Sequence, residues 1–179
     1  MIPMLKILLH IEFLWSGKSR PKYGLYEKTS MLNEDYKEIL QILLKNKVKF
    51  LVVGAYAMGA YGYPRATGDF DIWVESSLLN SRKIYKSLSE FGAPLQEISE
   101  ETFCEEGIIL QIGVAPRRID IITKIDGVNF KQAYSNKEKI KIETLIIPFL
   151  SKADLIKNKK STGREKDKLD IKYLNRKKT

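Results

Sequence analysis

The sequence has very few of the residues on which many functional sites depend. It has a single cysteine, Cys104, and a single histidine, His10. One cysteine excludes an internal disulfide framework and any multi-cysteine metal site. One histidine argues against catalysis built on several histidines. No apolar run approaches the roughly 20 residues needed to span a bilayer. We therefore expect a cytoplasmic protein that works away from membranes.

The sequence does contain enough apolar material for a core, and its charge is unevenly distributed. Its 179 residues are 44% hydrophobic and 30% charged, which fits one globular domain. The formal net charge is +9, and residues 151–179 carry eleven basic against four acidic side chains, whereas the middle of the chain is near neutral. This basic segment indicates a local site for an anion such as a nucleotide or RNA. A solvated lysine-rich helix would explain the charge equally well.

The first 30 residues differ in pattern from the rest of the chain. Residues 16–30 are rich in Ser, Gly, Lys and Tyr and show neither a helical nor a strand period, whereas a regular pattern begins at Met31. We therefore expect a folded domain over residues 31–179, which ends in basic C-terminal helices over residues 151–179. Residues 1–30 would be an accessory N-terminal arm.

Beyond this boundary, the periodicities predict helices mixed with short strands. Asn33 is a plausible N-cap, and apolar residues then recur at helical spacing. The predicted helices are 33–47, 55–61, 76–91, 100–105, 128–134, 151–160 and 164–175. The predicted strands are 50–54, 69–74, 108–114, 118–122, 139–142 and 145–147. This order predicts an α/β or α+β fold with one mixed β-sheet flanked by helices. On the last helix, Leu169 and Tyr173 are four apart and are expected to face the core.

The most informative feature is a set of three aspartates on predicted strands. Side chains alternate across a strand, so Asp69 and Asp71 point to one face. Two adjacent carboxylates repel each other unless a cation lies between them or one is protonated. Asp120 lies on another apolar strand and would be a third carboxylate if the two strands are neighbours. Such hard oxygen ligands suit Mg²⁺, which completes its shell with water and phosphate oxygens.

A glycine completes the pattern. Three carboxylates can hold two divalent ions that orient a triphosphate and lower the pKa of an attacking hydroxyl. Gly54, between a buried strand and a helix, lets the backbone approach a phosphate closely. Each part alone has a simpler explanation: acids at strand ends are often only solvated, and Asp120 can pair with Arg117 or Arg118. The specificity lies in the order strand, glycine, helix, Asp-x-Asp and a later strand aspartate.

With these residues, the sequence resembles the nucleotidyltransferase superfamily. The resemblance is closest to small bacterial stand-alone enzymes related to abortive-infection (AbiEii-like) nucleotidyltransferase toxins. It rests on four stretches and covers about Met31 to Leu174. They are Leu51-Val52-Val53-Gly54-Ala55, Gly62-Tyr63-Pro64-Arg65-Ala66-Thr67-Gly68-Asp69-Phe70-Asp71, Arg118-Ile119-Asp120-Ile121-Ile122, and the C-terminal Asn158-Lys159-Lys160, Gly163-Arg164 and Lys166-Asp167.

The resemblance implies an activity and a set of site residues. The implied reaction moves a nucleoside monophosphate from an NTP to a hydroxyl and depends on Mg²⁺ or Mn²⁺. Asp69, Asp71 and Asp120 match the metal-binding and catalytic carboxylates. The residues expected to contact the nucleotide are Gly54 and Ala55, with Lys159 and Arg164 of the C-terminal motif. Arg65, on the loop just before the acidic pair, is a further candidate from its position, and it can instead simply neutralise Asp69 and Asp71. The implied fold is a mixed β-sheet flanked by helices.

One departure from the family pattern leaves a second function open. Ala55 stands where the family has a second Gly or Ser, so the backbone N–H is kept but no hydroxyl is present. The alternative is therefore a catalytically degenerate module that binds NTP or RNA. The acceptor can be RNA, a protein or a small molecule, and the basic C-terminus leans towards RNA. A toxin-type enzyme would also have an antitoxin partner.

Overall fold

The structure is a computed structural model that describes residues 8–11 and 32–176. Seven strands lie in the described residues: β1 Leu8–Ile11, β2 Phe50–Val52, β3 Asp69–Val74, β4 Ile109–Ile112, β5 Arg118–Ile122, β6 Glu138–Ile142 and β7 Leu145–Phe149. The helices of the same residues are α1 Glu34–Lys45, α2 Gly54–Ala60, α3 Leu78–Phe91, α4 Phe130–Ser135, α5 Lys152–Thr162 and α6 Glu165–Asn175. None of the described helices is long and apolar enough to cross a membrane.

All seven strands form one mixed sheet in the order β1-β4-β5-β3-β2-β7-β6. The central strand β3 pairs parallel with β5 and antiparallel with β2. Strand β2 pairs parallel with β7, and the β4–β5 and β6–β7 pairs are antiparallel. The predicted mixed β-sheet flanked by helices is therefore confirmed. The pairing of β3 with β5 is the one that matters for the site.

Helix α1 forms where the sequence provides both a cap and an apolar stripe. The Asn33 side chain accepts a hydrogen bond from the Tyr36 N–H at 2.9 Å, and Glu34 and Asp35 occupy the first turn, where the helix dipole favours acids. Ile39 and Leu43, four residues apart on the same face, are fully buried. Tyr36, which is also buried, stacks on Phe70 of β3 with ring centroids 4.6 Å apart. The helix thereby packs against the strand that carries Asp69 and Asp71.

A buried asparagine fixes the far end of the central strands. Asn80 of α3 is 1% exposed, and its side chain accepts a hydrogen bond from the Lys49 N–H at 2.8 Å. Its amide group donates to the carbonyl oxygens of Lys49 and Glu75, each at 3.0 Å. One side chain thus satisfies backbone groups at the start of β2 and just after β3, which would otherwise be costly to bury.

Two local predictions differ from the structure. Residues 100–105 form only a short 3₁₀ turn over Thr102–Cys104 rather than a helix. On α6, Leu169 and Tyr173 are exposed, and Leu174, Asp167 and Asp170 are buried instead. The prediction that Leu169 and Tyr173 face the core is therefore wrong. Ion pairs with other elements hold Asp167 and Asp170 inward, so apolar spacing alone misidentifies the buried face of α6.

Part of the first 30 residues forms the edge of the sheet. Strand β1 lies within residues 1–30 and pairs parallel with β4, with Leu8 opposite Ile109 and Ile11 opposite Ile112. The rest of residues 1–30 lies outside the described residues. The boundary near Met31 stays a prediction.

Candidate active site

The pairing of β3 with β5 brings the three predicted aspartates together. Asp71 lies directly opposite Asp120 in the parallel register, and Asp69 lies opposite Arg118. Because side chains alternate across a strand, all four point to the same face of the sheet. One carboxylate oxygen from each of Asp69, Asp71 and Asp120 lies within 4.8 Å of the other two. The spacing of the three aspartates fits a divalent-cation site.

Gly54 is required where Asp71 meets the start of α2. Its φ is +64°, a left-handed conformation that glycine adopts at little cost. A Cβ atom added at Gly54 would collide with Oδ2 of Asp71. The glycine therefore leaves room for the carboxylate.

The Asp71 carboxylate is poorly compensated. It accepts no hydrogen bond from residues 32–176, and burial, together with the charges of Asp69 and Asp120, raises its pKa from 3.8 to about 7. The positive charge of Arg118 lowers the pKa only in part. A partly buried carboxylate in this state gains from a cation, so the donor set fits a divalent metal ion.

Arg118 bridges the two outer carboxylates. Its Nε donates to Oδ1 of Asp120 at 2.6 Å, and its Nη2 donates to Oδ2 of Asp120 and Oδ2 of Asp69, both at 2.9 Å. The sequence suggested Arg118 as a charge partner of Asp120, and the structure shows that pairing. The contact to Asp69 was not predicted, because it depends on the register between β3 and β5. The guanidinium thus offsets part of the negative charge of the site.

Two neutral side chains also bind the outer carboxylates. Thr67 donates from Oγ1 to Oδ1 of Asp69 at 2.5 Å, and Gln111 of β4 donates from Nε2 to Oδ2 of Asp120 at 3.2 Å. Sequence reasoning gave neither residue a role, although Thr67 lies in one of the stretches that carry the resemblance. Their hydrogen bonds restrain the rotamers of Asp69 and Asp120 and leave Asp71 as the carboxylate that depends most on a cation.

The carboxylates lie in a cleft of about 570 Å³ between the sheet and the C-terminal helices. The five residues predicted to contact a nucleotide all line this cleft: Gly54, Ala55, Arg65, Lys159 and Arg164. The cleft size is within the range of small-molecule sites. The geometry therefore brings all eight predicted site residues to one place, although not all of their charged groups are free.

Lys159 is held in a cluster of four charges, which we call the α5–α6 cluster: the exposed Arg65 and the buried Lys159, Asp167 and Asp170. The Lys159 ammonium donates to Oδ1 of Asp167 at 2.9 Å and to Oδ2 of Asp170 at 2.5 Å, and Lys159 is only 5% exposed. Arg65 donates to Oδ1 of Asp170 at 2.7 Å. Carboxylates of α6 thus bind both cations, and the expected contact of Lys159 and Arg65 with nucleotide stays a prediction.

The cluster connects the C-terminal helices to the loop before β3. Arg65 belongs to that loop, Lys159 to α5, and Asp167 and Asp170 to α6. Burial alone would raise the pKa of Asp167, but the hydrogen bonds from Thr162 and Lys159 outweigh it, so that the pKa is lowered. Arg164 and Lys166, at the start of α6, are exposed and make no direct ion pair with residues 32–176. These two side chains are the available cations on this side of the cleft.

The aromatic residues near the site pack inside the protein. Tyr56 lies edge-on to Phe70 at 4.8 Å, and Trp73 lies edge-on to Phe130 at 5.0 Å. The Tyr61 hydroxyl donates to the Leu150 carbonyl at 2.7 Å. None of these three rings is among the residues that line the cleft.

The comparisons with known proteins support the fold. No family model matches the chain, and no curated protein matches it. Among solved structures, the chain is similar to the crystal structure of a candidate nucleotidyltransferase from Thermotoga maritima. The TM-score is 0.50 at 19% sequence identity, and the alignment covers 78% of this chain and 89% of the other. The protein thus has a nucleotidyltransferase-like α/β fold, with three clustered carboxylates able to hold a divalent metal ion.

Proposed function

We propose that the protein is a metal-dependent nucleotidyltransferase that moves a nucleoside monophosphate from an NTP to a hydroxyl group. The observation that carries the proposal is the convergence of Asp69, Asp71 and Asp120 in one cleft, where the charge of Asp71 is only partly compensated. In the proposed reaction, the acceptor oxygen forms a bond to the α-phosphorus. The bond from that phosphorus to the bridging oxygen breaks, pyrophosphate leaves, and the hydroxyl proton passes to solvent.

The residues divide this work between them. Asp69, Asp71 and Asp120 would hold Mg²⁺ or Mn²⁺, which when bound neutralises phosphate charge and lowers the pKa of the attacking hydroxyl. Arg164 and Lys166 bind and orient the phosphates by their positive charge. Gly54 and Ala55 leave the backbone at the start of α2 open to a phosphate oxygen. The α5–α6 cluster holds Arg164 and Lys166 beside the carboxylates, so Lys159 and Arg65 act as positioning residues.

For the acceptor, we propose RNA, since Arg164 and Lys166 lie at the rim of a cleft in a segment with a net charge of +7 over residues 151–179. We also propose that the enzyme is related to the abortive-infection nucleotidyltransferase toxins and has an antitoxin partner. The proposed relation to these toxins, and with it the antitoxin partner, rests on the sequence motifs that surround Gly54, Asp69, Asp120 and Lys159.

The test is a transfer assay with each labelled NTP against total cellular RNA and total protein, in Mg²⁺ or Mn²⁺. Label should move to one acceptor class, and the transfer should disappear in Asp71→Asn. Glu38→Gln, an exposed site on α1, is the matched control and should transfer normally. Binding of NTP without transfer to any acceptor would instead support the degenerate module that Ala55 left open.

A further inference from the structure

Beyond the carboxylates, the cleft continues over an apolar surface formed by Ile109, Ile122 and Ile125, which we call the isoleucine shelf. Ile109 of β4 and Ile122 of β5 are direct partners in the antiparallel register. Their chain neighbours Leu110 and Ile121 are fully buried on the opposite face of the sheet. All three shelf residues are only half-buried. The cleft side of the sheet therefore leaves apolar surface uncovered beside the carboxylates.

The shelf is continuous with the proposed metal site. Ile122 follows Asp120 by two residues on the same face of β5, a spacing of about 6.6 Å along a strand. Ile109 stands in the same relation to Gln111, which binds Asp120. A ligand with its phosphates at the carboxylates would thus extend directly over the isoleucines.

A polar side chain borders the shelf. Asn158 of α5 lines the cleft, and its Nδ2 donates to the carbonyl oxygen of Asp126 at 2.9 Å. This bond fixes the orientation of the amide and leaves its carbonyl oxygen and one N–H group for other partners. The edge of a nucleobase offers a matching donor and acceptor, and its faces are flat and apolar.

We propose that the isoleucine shelf seats the nucleobase of the NTP, with Asn158 at the edge of the ring. This inference rests on the proposed function, which requires the phosphates at Asp69, Asp71 and Asp120. It adds the part of the cleft that binds the nucleoside, and it assigns Ile109, Ile122 and Ile125 a role in binding that none of the sequence motifs indicates.

The experiment compares binding of two probes in Mn²⁺ by titration calorimetry. One probe is an α,β-methylene NTP, tested with each of the four bases, in which the scissile bond cannot break. The other is inorganic tripolyphosphate, which has no base. The variants are Ile122→Ala and Ile125→Ala, and the matched control is Ile140→Ala, a half-buried isoleucine of the edge strand β6, four strands away from β5.

The shelf variants should bind the nucleotide analogues at least about 10-fold more weakly, because Ile→Ala removes three carbon atoms from the surface under the base. They should bind tripolyphosphate as the wild type does, and Ile140→Ala should bind both probes normally. Unchanged nucleotide binding in both shelf variants would overturn the proposal and assign the shelf to the acceptor. Equal weakening of both probes would also overturn it, because the loss would not depend on the base. Absence of any metal-dependent tripolyphosphate binding by the wild type would instead refute the proposed function.

Discussion

At the scale of single residues, the surroundings of Asp71 determine its pKa and its need for a cation. Burial and two neighbouring carboxylates raise its pKa to about 7, so near neutral pH it is about half protonated. The same surroundings that disfavour its charge favour a cation beside it. The requirement for Gly54 follows from this packing, because the carboxylate fills the space that a side chain would need.

The raised pKa predicts how the metal-free protein responds to pH. The folded pKa of Asp71 lies above its ordinary value of 3.8, so its ionisation opposes folding. The stability that protonated Asp71 contributes is complete below about pH 4 and is lost as the pH rises through about 7. Asp71→Asn, which carries no ionisable group, should therefore gain stability relative to wild type between pH 5 and 8 in EDTA. Thermal unfolding of both proteins across that pH range measures this gain. If the unfolding temperatures of wild type and variant change with pH in parallel, the raised pKa does not belong to Asp71.

The same substitution should remove catalysis. In the transfer assay Asp71→Asn should lose at least about 100-fold in rate, because the proposed metal loses the carboxylate that depends most on a cation. Mn²⁺ should raise the unfolding temperature of the wild type and have little effect on the variant. A variant that still transfers at the wild-type rate would exclude Asp71 from the site.

We expect the guanidinium of Arg118 to compete with a metal ion for the carboxylates of Asp69 and Asp120. Its guanidinium occupies lone pairs of Asp69 and Asp120 that a metal ion would use. Arg118→Gln should be less stable than wild type without metal, by a few degrees, since about 1 kcal/mol corresponds to 2–4 °C in a chain of this size. Added Mn²⁺ should then restore more stability than it gives the wild type. The exposed neighbour Arg117→Gln is the control and should behave as wild type.

At the scale of secondary-structure elements, the sequence predicted most of the helices and strands but not which face of α6 is buried. Capped, periodic segments such as α1 were predictable because local hydrogen bonds and apolar spacing agree there. On α6, the inward residues are Asp167 and Asp170, whose burial depends on Lys159 and Arg65 from other elements. Such ion pairs form between elements and leave no local pattern.

The residues of the candidate site were predictable from the sequence, but the contacts between them were not. The three aspartates and Gly54 follow from strand alternation and order along the chain. The pairing of β3 with β5 decides that Arg118 reaches Asp69, and no feature of either strand alone encodes that register. For the same reason the sequence indicated Lys159 as a contact for nucleotide but did not show that two carboxylates bind its ammonium.

The α5–α6 cluster predicts opposite effects for two nearby cations. Lys159→Met leaves two buried carboxylates without their shared partner and should cost about 3–5 kcal/mol of stability. Arg164→Ala removes an exposed cation and should leave stability within about 0.5 kcal/mol of wild type, while it raises the KM for NTP. Denaturant unfolding and the transfer assay together measure both. A stable Lys159→Met enzyme with a raised KM would contradict the positioning role and make Lys159 a direct contact.

At the scale of the whole molecule, the carboxylates and the exposed cations of the cleft come from different parts of the chain. The central strands β3 and β5 carry the carboxylates, and the C-terminal helices bring cations to the opposite side of the cleft. The middle of the chain is near neutral and the C-terminal segment strongly basic, so the positive charge is concentrated where the proposed phosphates bind.

Removal of residues 1–30 tests whether residues 31–179 fold and bind metal on their own. Strand β1 pairs only with β4, at the edge of the described sheet, whereas the carboxylates lie on β3 and β5. A chain of residues 31–179 should therefore still unfold cooperatively and bind metal at the three aspartates. It should be less stable and more prone to self-association, because β4 becomes an exposed edge strand. Calorimetry and light scattering measure both effects. A truncated chain that does not fold would place residues 1–30 inside the domain and refute the boundary at Met31.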